Sequence, residues 1–444
     1  MRDDGSSGRD VSNGLILPHS DKKAARPPDG RSYEAEMTAT SLPALSAAFL
    51  MSMYFRSYFG VVGPALTAEL GLSPQQYGWL ASAFFASFSI LQIPVGMSFD
   101  RWGVRFPMAA MMACGAAGAA LIALTPGYRA AIMGQILIGV GCAPIFMGVL
   151  FYVGRTNSPA KAGRLAAIVS AIGSMGALIS ASPLSWFVEV FGWRSACWAA
   201  ASAMAASAIA VSVALGKTPS AASEAPAAEH RRSIVPLLYL VPICMTLSLG
   251  GAFRNAWAAP YVTSVFGTHT AIGEILTTIS IVGIVTSVVL PAVLARVEGR
   301  RIVIFAYVAG VICAVMLSAG PDGSFPAACA GLSLLYAMGN VHPLIMTEAQ
   351  ARIPPHMRGI ALGVLNTLVF LGVSVASVVF GQIAGLSLAP TTTYRLIFAA
   401  TGLALAIALL SYVIVPRSDR TPRAHTDNSR QDAATRANSA TGSD

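Results

Sequence analysis

The chain has 444 residues, of which 55% are apolar and only 11% charged, with a formal net charge of +9 and a mean hydropathy of +0.64. A soluble domain carries roughly 25% charged residues, so this composition excludes a water-soluble enzyme and calls for an all-α or barrel protein embedded in a membrane. The basic excess alone would also suit nucleic acid, but its placement along the chain, given below, argues against that partner.

In chain order, residues 1–36 are polar and rich in Gly, Asp, Arg and Ser, and read as a disordered tail with no signal peptide. Apolar stretches of about 20 residues, the length that crosses a bilayer, then follow at 40–64, 77–98, 106–125, 129–153, 163–187 and 194–215. A linker of Ala, Ser, Pro, Glu and Arg occupies 216–233. A second set follows at 236–265, 271–295, 302–320, 325–350, 358–386 and 394–415, before a second polar tail at 417–444. The runs are continuous and rich in Ala, Leu, Gly and Val rather than alternating, which predicts helices and not a barrel. The expected fold is therefore all-α: twelve transmembrane helices in two six-helix bundles, 37–215 and 234–416.

Counted through the loops of that topology, 24 Lys and Arg fall on the side of both tails and three, Arg129, Arg194 and Arg395, on the other. The positive-inside rule places both termini in the cytoplasm, with the plasma membrane as the expected location. The charge orients the chain in lipid, and no nucleic-acid partner is expected. Six cysteines lie within spans without metal-ligand spacing, so they read as small packing residues, with no metal, disulfide or cofactor implied. Neither a phosphate-binding Walker loop nor a hydrolase nucleophile motif is present, so no enzyme is expected.

Shifted by about 197 residues, the chain matches itself. Arg56 falls beside Arg254 (offset 198), Pro94 on Pro291 (197), Arg155 on Arg352 (197) and Gly163 on Gly359 (196). Such a parallel duplication puts the substrate site between the two halves near the bilayer midplane.

Two spans carry an arginine at mid-depth, Arg56 and Arg254, with no carboxylate in the same stretch. A bare guanidinium at the bilayer centre costs about 2.5 to more than 10 kcal/mol, depending on the reference state, and it cannot lose its proton. A cavity where both arginines meet an anion offsets that cost, and the planar fork suits carboxylate or phosphate. Tyr54, Trp257 and Tyr261 are candidates for its apolar wall, and Asn255 and Asn366 for polar contacts. Each of these also fits ordinary packing or interhelical hydrogen bonding. His342, before Pro343, is a candidate proton carrier as well as a plain structural histidine. Acidic residues reach the spans only near their ends, at Glu189, Glu274 and Glu348, which weakens any carboxylate-driven coupling.

After the second span the chain reads Gly96-Met97-Ser98-Phe99-Asp100-Arg101-Trp102-Gly103-Val104-Arg105. This run resembles the hallmark loop of the major facilitator superfamily; only Phe106 departs, at a later basic position. The resemblance implies a conformational gate formed by Gly96, Asp100, Arg101, Gly103 and Arg105, with Asp100 facing a helix amino terminus. The equivalent loop of the second half, 292–301, keeps its arginines and lacks the Asp, and Gly192-Trp193-Arg194 is a weaker likeness. Within the family, the run 54–59 followed by Pro64 is similar to the first helix of organophosphate:phosphate antiporters and anion:cation symporters. That likeness implies that Arg56 contacts an anionic substrate. Their second arginine lies ahead of a Trp and Pro, as Arg254 lies ahead of Trp257 and Pro260, but here about one turn nearer the Trp. The implied function is secondary transport of a small organic anion, a carboxylate or phosphate ester, by alternating access in a monomer. Two readings stay open: a facilitator of a drug, peptide or sugar whose arginines close a gate, and a transporter-like sensor.

Overall fold

The computed structural model describes residues 40–216, 238–268, 271–353 and 358–414. The linker from 217 and both tails, 1–36 and 417–444, lie outside the described residues. Every regular element among the described residues is helical: α1 (Ser41–Ser57), α2 (Phe59–Leu70), α3 (Pro74–Ile90), α4 (Gln92–Trp102), α5 (Arg105–Leu124), α6 (Tyr128–Thr156), α7 (Pro159–Ile179), α8 (Ser182–Ala214), α9 (Leu240–Thr246), α10 (Leu249–Ala252), a π turn (Phe253–Trp257), α11 (Ala258–Phe266), α12 (Ile272–Leu294), α13 (Gly299–Ala319), α14 (Phe325–Ala337), a 3-10 turn (Met338–Val341), α15 (His342–Arg352), α16 (Arg358–Ala384) and α17 (Pro390–Ile414).

Prolines explain where the expected spans break. A proline cannot bond the carbonyl four residues before it and crowds that carbonyl. Pro94 thus ends α3 at Ile90 and leaves a 41° bend into α4, while Pro183 coincides in the same way with the end of α7 at Ile179. Ahead of Pro64, α1 and α2 meet at 46°. Pro291, which the repeat aligns with Pro94, sits within an unbroken α12. The turn at Gly192 (φ 82°) separates 182–191 from 193–214, and the left-handed region it occupies favours glycine.

Among the described residues nine helices are long and apolar enough to cross a membrane, or up to eleven elements if each bent pair is one span. The expected seventh span, 236–265, falls outside that tally. It is built from α9, α10, the π turn and α11. By this measure eleven of the twelve expected spans pass among the described residues, and the seventh is present only as these shorter pieces.

Helices α1 to α8 pack mainly on one another, α5 against α6 and α8 and α1 against α7 and α8; α13 packs on α17 and α14, and α16 on α9. The halves meet chiefly where α3 lies along α16, with further contact of α7 and α8 on α12 and of α2 on the π turn. Glycines make the first contact close: a Cβ on Gly78 would stand 2.6 Å from the Ser377 carbonyl oxygen and 2.9 Å from Gly381 Cα. Large apolar side chains such as Phe305, Val213 and Val288 point outward, as an exterior solvated by lipid requires. The end where Ser41 meets Ala214 and Tyr239 meets Ser411 is called the linker end below, and the opposite one the distal end.

Candidate functional site

Arg56, one residue before the α1–α2 bend, projects between the halves. Its guanidinium carbon is 4.7 Å from the ring centre of Phe88 on α3 and 4.8 Å from that of Phe370 on α16. The two rings are themselves edge to face, 4.7 Å apart. Its Nε is fully buried without a hydrogen-bond acceptor, and no carboxylate among the described residues pairs with it. Cation–π contacts contribute about 0.5–2 kcal/mol each, so two of them leave much of the burial cost uncovered. The site is electrostatically incomplete and favours an anion.

Arg254 is arranged differently. It is wholly buried and spent on the protein itself: Nε donates to Ser280 Oγ of α12 at 2.8 Å, and one terminal nitrogen donates to the Ala177 carbonyl of α7 at 2.7 Å and to Ser180 Oγ at 3.3 Å. The other terminal nitrogen is buried without a partner. The Ala177 carbonyl lies two residues before the end of α7, where the helical ladder is already failing. Arg254 thus ties the first half to the second. The π turn that carries it brings its own carbonyl oxygen to 3.0 Å from where a Cβ on Gly60 would stand, so α2 packs backbone to backbone on this turn.

Further bonds between the halves surround this link. Ser57 Oγ donates to Asn255 Oδ1 at 3.0 Å, Ser182 and Thr277 hydroxyls are 2.7 Å apart, and Ser82 and Ser374 hydroxyls 2.6 Å. Tyr77 OH donates to the Ala256 carbonyl, the one that Pro260 leaves free four residues on. An aromatic chain runs beside them: Phe59 stacks on Tyr77, Tyr77 meets Trp257 edge to face at 5.2 Å, and Trp257 meets Phe380 at 6.0 Å. Above Tyr77 and Trp257 a cleft of about 410 Å³ between the halves is lined by Pro64, Thr67, Pro260 and Tyr394 among others.

The other sequence candidates scatter. Trp257 is buried at the floor of that cleft. Tyr54 stacks toward Tyr58 and faces a groove lined by Pro183 and Trp186 within the first half, and Tyr261 donates to the Pro321 carbonyl and packs on Tyr394 and Phe398 within the second. Neither is brought beside the arginines. Asn366 Nδ2 lies 3.4 Å from Gln92 Oε1 across the α4–α16 contact, one turn from the Phe88–Phe370 pair. His342 has a buried, unpartnered Nε2 and stands within electrostatic reach of Arg56.

At the linker end, Gly103 takes φ 70°, ψ −179°, a conformation reserved for glycine, and ends α4. Asp100 reaches Arg155 of α6 at 3.4 Å, so the loop after α4 is tied to the end of α6. Arg101 lies over the Trp102 ring. In the second half Glu348 takes the place of the missing Asp. Arg352 reaches it at 2.8 Å and Arg300 at 3.9 Å, and Tyr412 OH donates to it. The repeat partners Arg155 and Arg352 therefore both hold a carboxylate. At the distal end Glu69 accepts from Trp193 Nε1 at 2.7 Å and pairs with Arg194, which accounts for the Gly192-Trp193-Arg194 run.

Asp100 is 62% and Arg155 26% exposed, and an exposed pair contributes about 0–1 kcal/mol. Asp100→Asn is therefore expected to leave folding intact and to shift the accessibility ratio of cysteine probes at the two ends by up to about fivefold. An unchanged ratio would leave the loop as an orientation anchor only.

Sequence reading missed Phe88, Phe370 and Gln92, and gave Glu348 no partner. Glu348 and Arg352 at i, i+4 were open to a pairing rule. The others depend on α3 and α4 lying along α16, which no local pattern encodes.

The family model described as Major Facilitator Superfamily matches residues 45–377. The probable L-galactonate transporter of Escherichia coli (strain K12) is 26% identical over 183 residues, 40% of each chain. The hexuronate transporter of Bacillus subtilis (strain 168) is 22% identical over 31% of this chain and 33% of the relative. The quinolone resistance transporter of Acinetobacter baumannii is 23% identical over 34% and 33%. The chain thus spans two fifths or less of the length of these relatives. Among solved structures, the D-xylose-proton symporter superposes with a TM-score of 0.69 at 15% identity, over 85% of this chain and 98% of that one. This last likeness concerns the fold.

Proposed function

The chain belongs to the Major Facilitator Superfamily, and from that premise we propose that it carries a small organic anion, a hydroxylated carboxylate first among candidates, across the membrane by alternating access. It is an integral multi-pass transporter and not an enzyme. One observation carries the substrate reading: a cation, Arg56, sits between one ring from each half with no carboxylate beside it. The galactonate and hexuronate relatives support it.

In this reading the two arginines divide the work. Arg56 meets the anion, while Arg254, by donating to Ala177 and Ser180, latches the distal side shut in the conformation described. The aromatic chain from Phe59 to Phe380 closes the same side. When the halves rock, the Ala177 bond breaks and Arg254 becomes available to the anion. The gate-only alternative takes support from Arg254 but leaves the unbalanced Arg56 without a role.

We propose further that both termini are cytoplasmic and that transport is exchange, because the empty carrier must move Arg56 through a closed intermediate unpaired. Uptake of labelled galactonate and hexuronate into proteoliposomes is the test. Exchange predicts uptake that needs a preloaded internal anion, survives collapse of the proton gradient and persists in His342→Gln. Concentrative uptake that stops when the gradient collapses, and is lost in His342→Gln, would overturn exchange in favour of proton coupling. No uptake of any carboxylate or phosphate ester would remove the anion reading itself.

A further inference from the structure

Tyr336 stands where α14 meets the 3-10 turn, and its surroundings hold it with unusual strictness. Its ring lies on Gly283 of α12: a Cβ there would come within 2.5 Å of ring Cε1 and 2.9 Å of Cδ1. Its backbone lies on Gly250 of α10, where any Cβ would strike the Leu335 carbonyl. Asn340, one turn later, donates to the Gly283 carbonyl at 2.8 Å and lies 2.6 Å from Thr286 Oγ1. Two glycines and an asparagine therefore fix one tyrosine. Such constraint is not needed to fill space.

The hydroxyl it presents makes no hydrogen bond to a described residue, although the side chain is half-buried. Gly283 lies three residues from Ser280 on α12, and Ser280 accepts from Arg254, so the ring stands one turn from that guanidinium's partner. Both Arg56 and Arg254 are within electrostatic reach of the phenol. A phenol held one turn from the Ser280 that Arg254 bonds can donate to an anion's oxygens or accept from its hydroxyl.

We propose that Tyr336 is a substrate-contacting, specificity-determining residue that reads a hydroxyl beside the carboxylate held by Arg56, and that Gly283 is its positioning residue. The inference rests on the anion reading above. Arg56 alone does not distinguish one carboxylate from another, whereas a fixed polar group left unpaired by a deoxy ligand does.

The test is equilibrium binding to the purified full chain with two matched pairs, gluconate against hexanoate and tartrate against succinate. The wild type is expected to prefer the hydroxylated member of at least one pair by about tenfold or more. Tyr336→Phe keeps the ring on Gly283 and is expected to compress that ratio to within about threefold, with little change in affinity for the plain acid. Gly283→Ala, which displaces the ring while keeping the hydroxyl, should compress it as well. A ratio unchanged in Tyr336→Phe, or equal losses for both members of the pair, would overturn the role of Tyr336 while leaving the anion reading intact. If the wild type binds hydroxylated and plain acids alike, the inference also fails alone. Binding of no anion by the wild type would overturn both.

Discussion

Arg56→Lys is expected to lower anion uptake by about two orders of magnitude, although the charge is kept. Lysine offers a hydrated point charge in place of a planar fork, so it gives up the paired hydrogen bonds to a carboxylate and fits poorly against two aromatic faces. Loss of one strong charge-assisted bond, about 1.5–3 kcal/mol, already corresponds to roughly 10- to 100-fold in affinity. The bilayer explains why the residue is otherwise a burden. Phe88 and Phe370 together return at most about 4 kcal/mol, against an insertion cost that reaches higher estimates of 10 or more. Arg56→Gln removes both the burden and the ligand, so that variant should be at least as thermally stable as the wild type without substrate while transporting nothing. Uptake in proteoliposomes and a melting curve of the purified protein check the two halves of this expectation. Wild-type uptake in Arg56→Lys would show that a fork is not used.

Arg254→Gln should act through the gate. The wild-type side chain satisfies the Ala177 carbonyl and two serine hydroxyls across three helices. Ser180 Oγ also donates to the Ala177 carbonyl and Ser280 Oγ to that of Leu276, so what the variant loses is each charge-assisted bond itself, about 1.5–3 kcal/mol. If, as proposed, the Ala177 and Ser180 bonds hold the distal side closed, their loss is expected to move the equilibrium toward a distal-open state by about tenfold or more. A cysteine replacing Thr67 in the distal cleft reports this. A membrane-impermeant thiol reagent applied from the distal side should label it about tenfold faster in the Arg254→Gln background. Equal labelling in both backgrounds would leave Arg254 without a latching role.

How much of this was legible before the structure depends on range. Helical class followed from composition together with the continuity of the apolar runs, which fit neither a soluble domain nor a barrel. The breaks were partly legible, since Pro94 and Pro183 each stand four residues after a helix end, but the seventh span needed the packing of α2 on the π turn to explain its four pieces. Both arginines stood out from their cost in lipid. Their different fates did not: one meets two rings and the other a frayed helix end, and both outcomes depend on contacts between residues far apart in the chain. Aromatic candidates failed for the same reason. Tyr54 shares α1 with Arg56, and Tyr261 on α11 follows the π turn that carries Arg254, yet both face their own halves, while Phe88 comes from a helix that carried no charge to draw notice. Asp100 also meets Arg155 because α6 ends beside the α4 turn, a juxtaposition that the loop motif alone does not state.

The central claim is that Arg56 receives an organic anion between the two halves. Its most direct measurement is equilibrium binding of radiolabelled galactonate, hexuronate and tartrate to purified wild type and Arg56→Gln, both first shown to be folded by their melting curves. The account predicts saturable binding of at least one of these anions to the wild type and none to the variant. Binding that survives in Arg56→Gln, or a wild type that binds none of these anions, would contradict it.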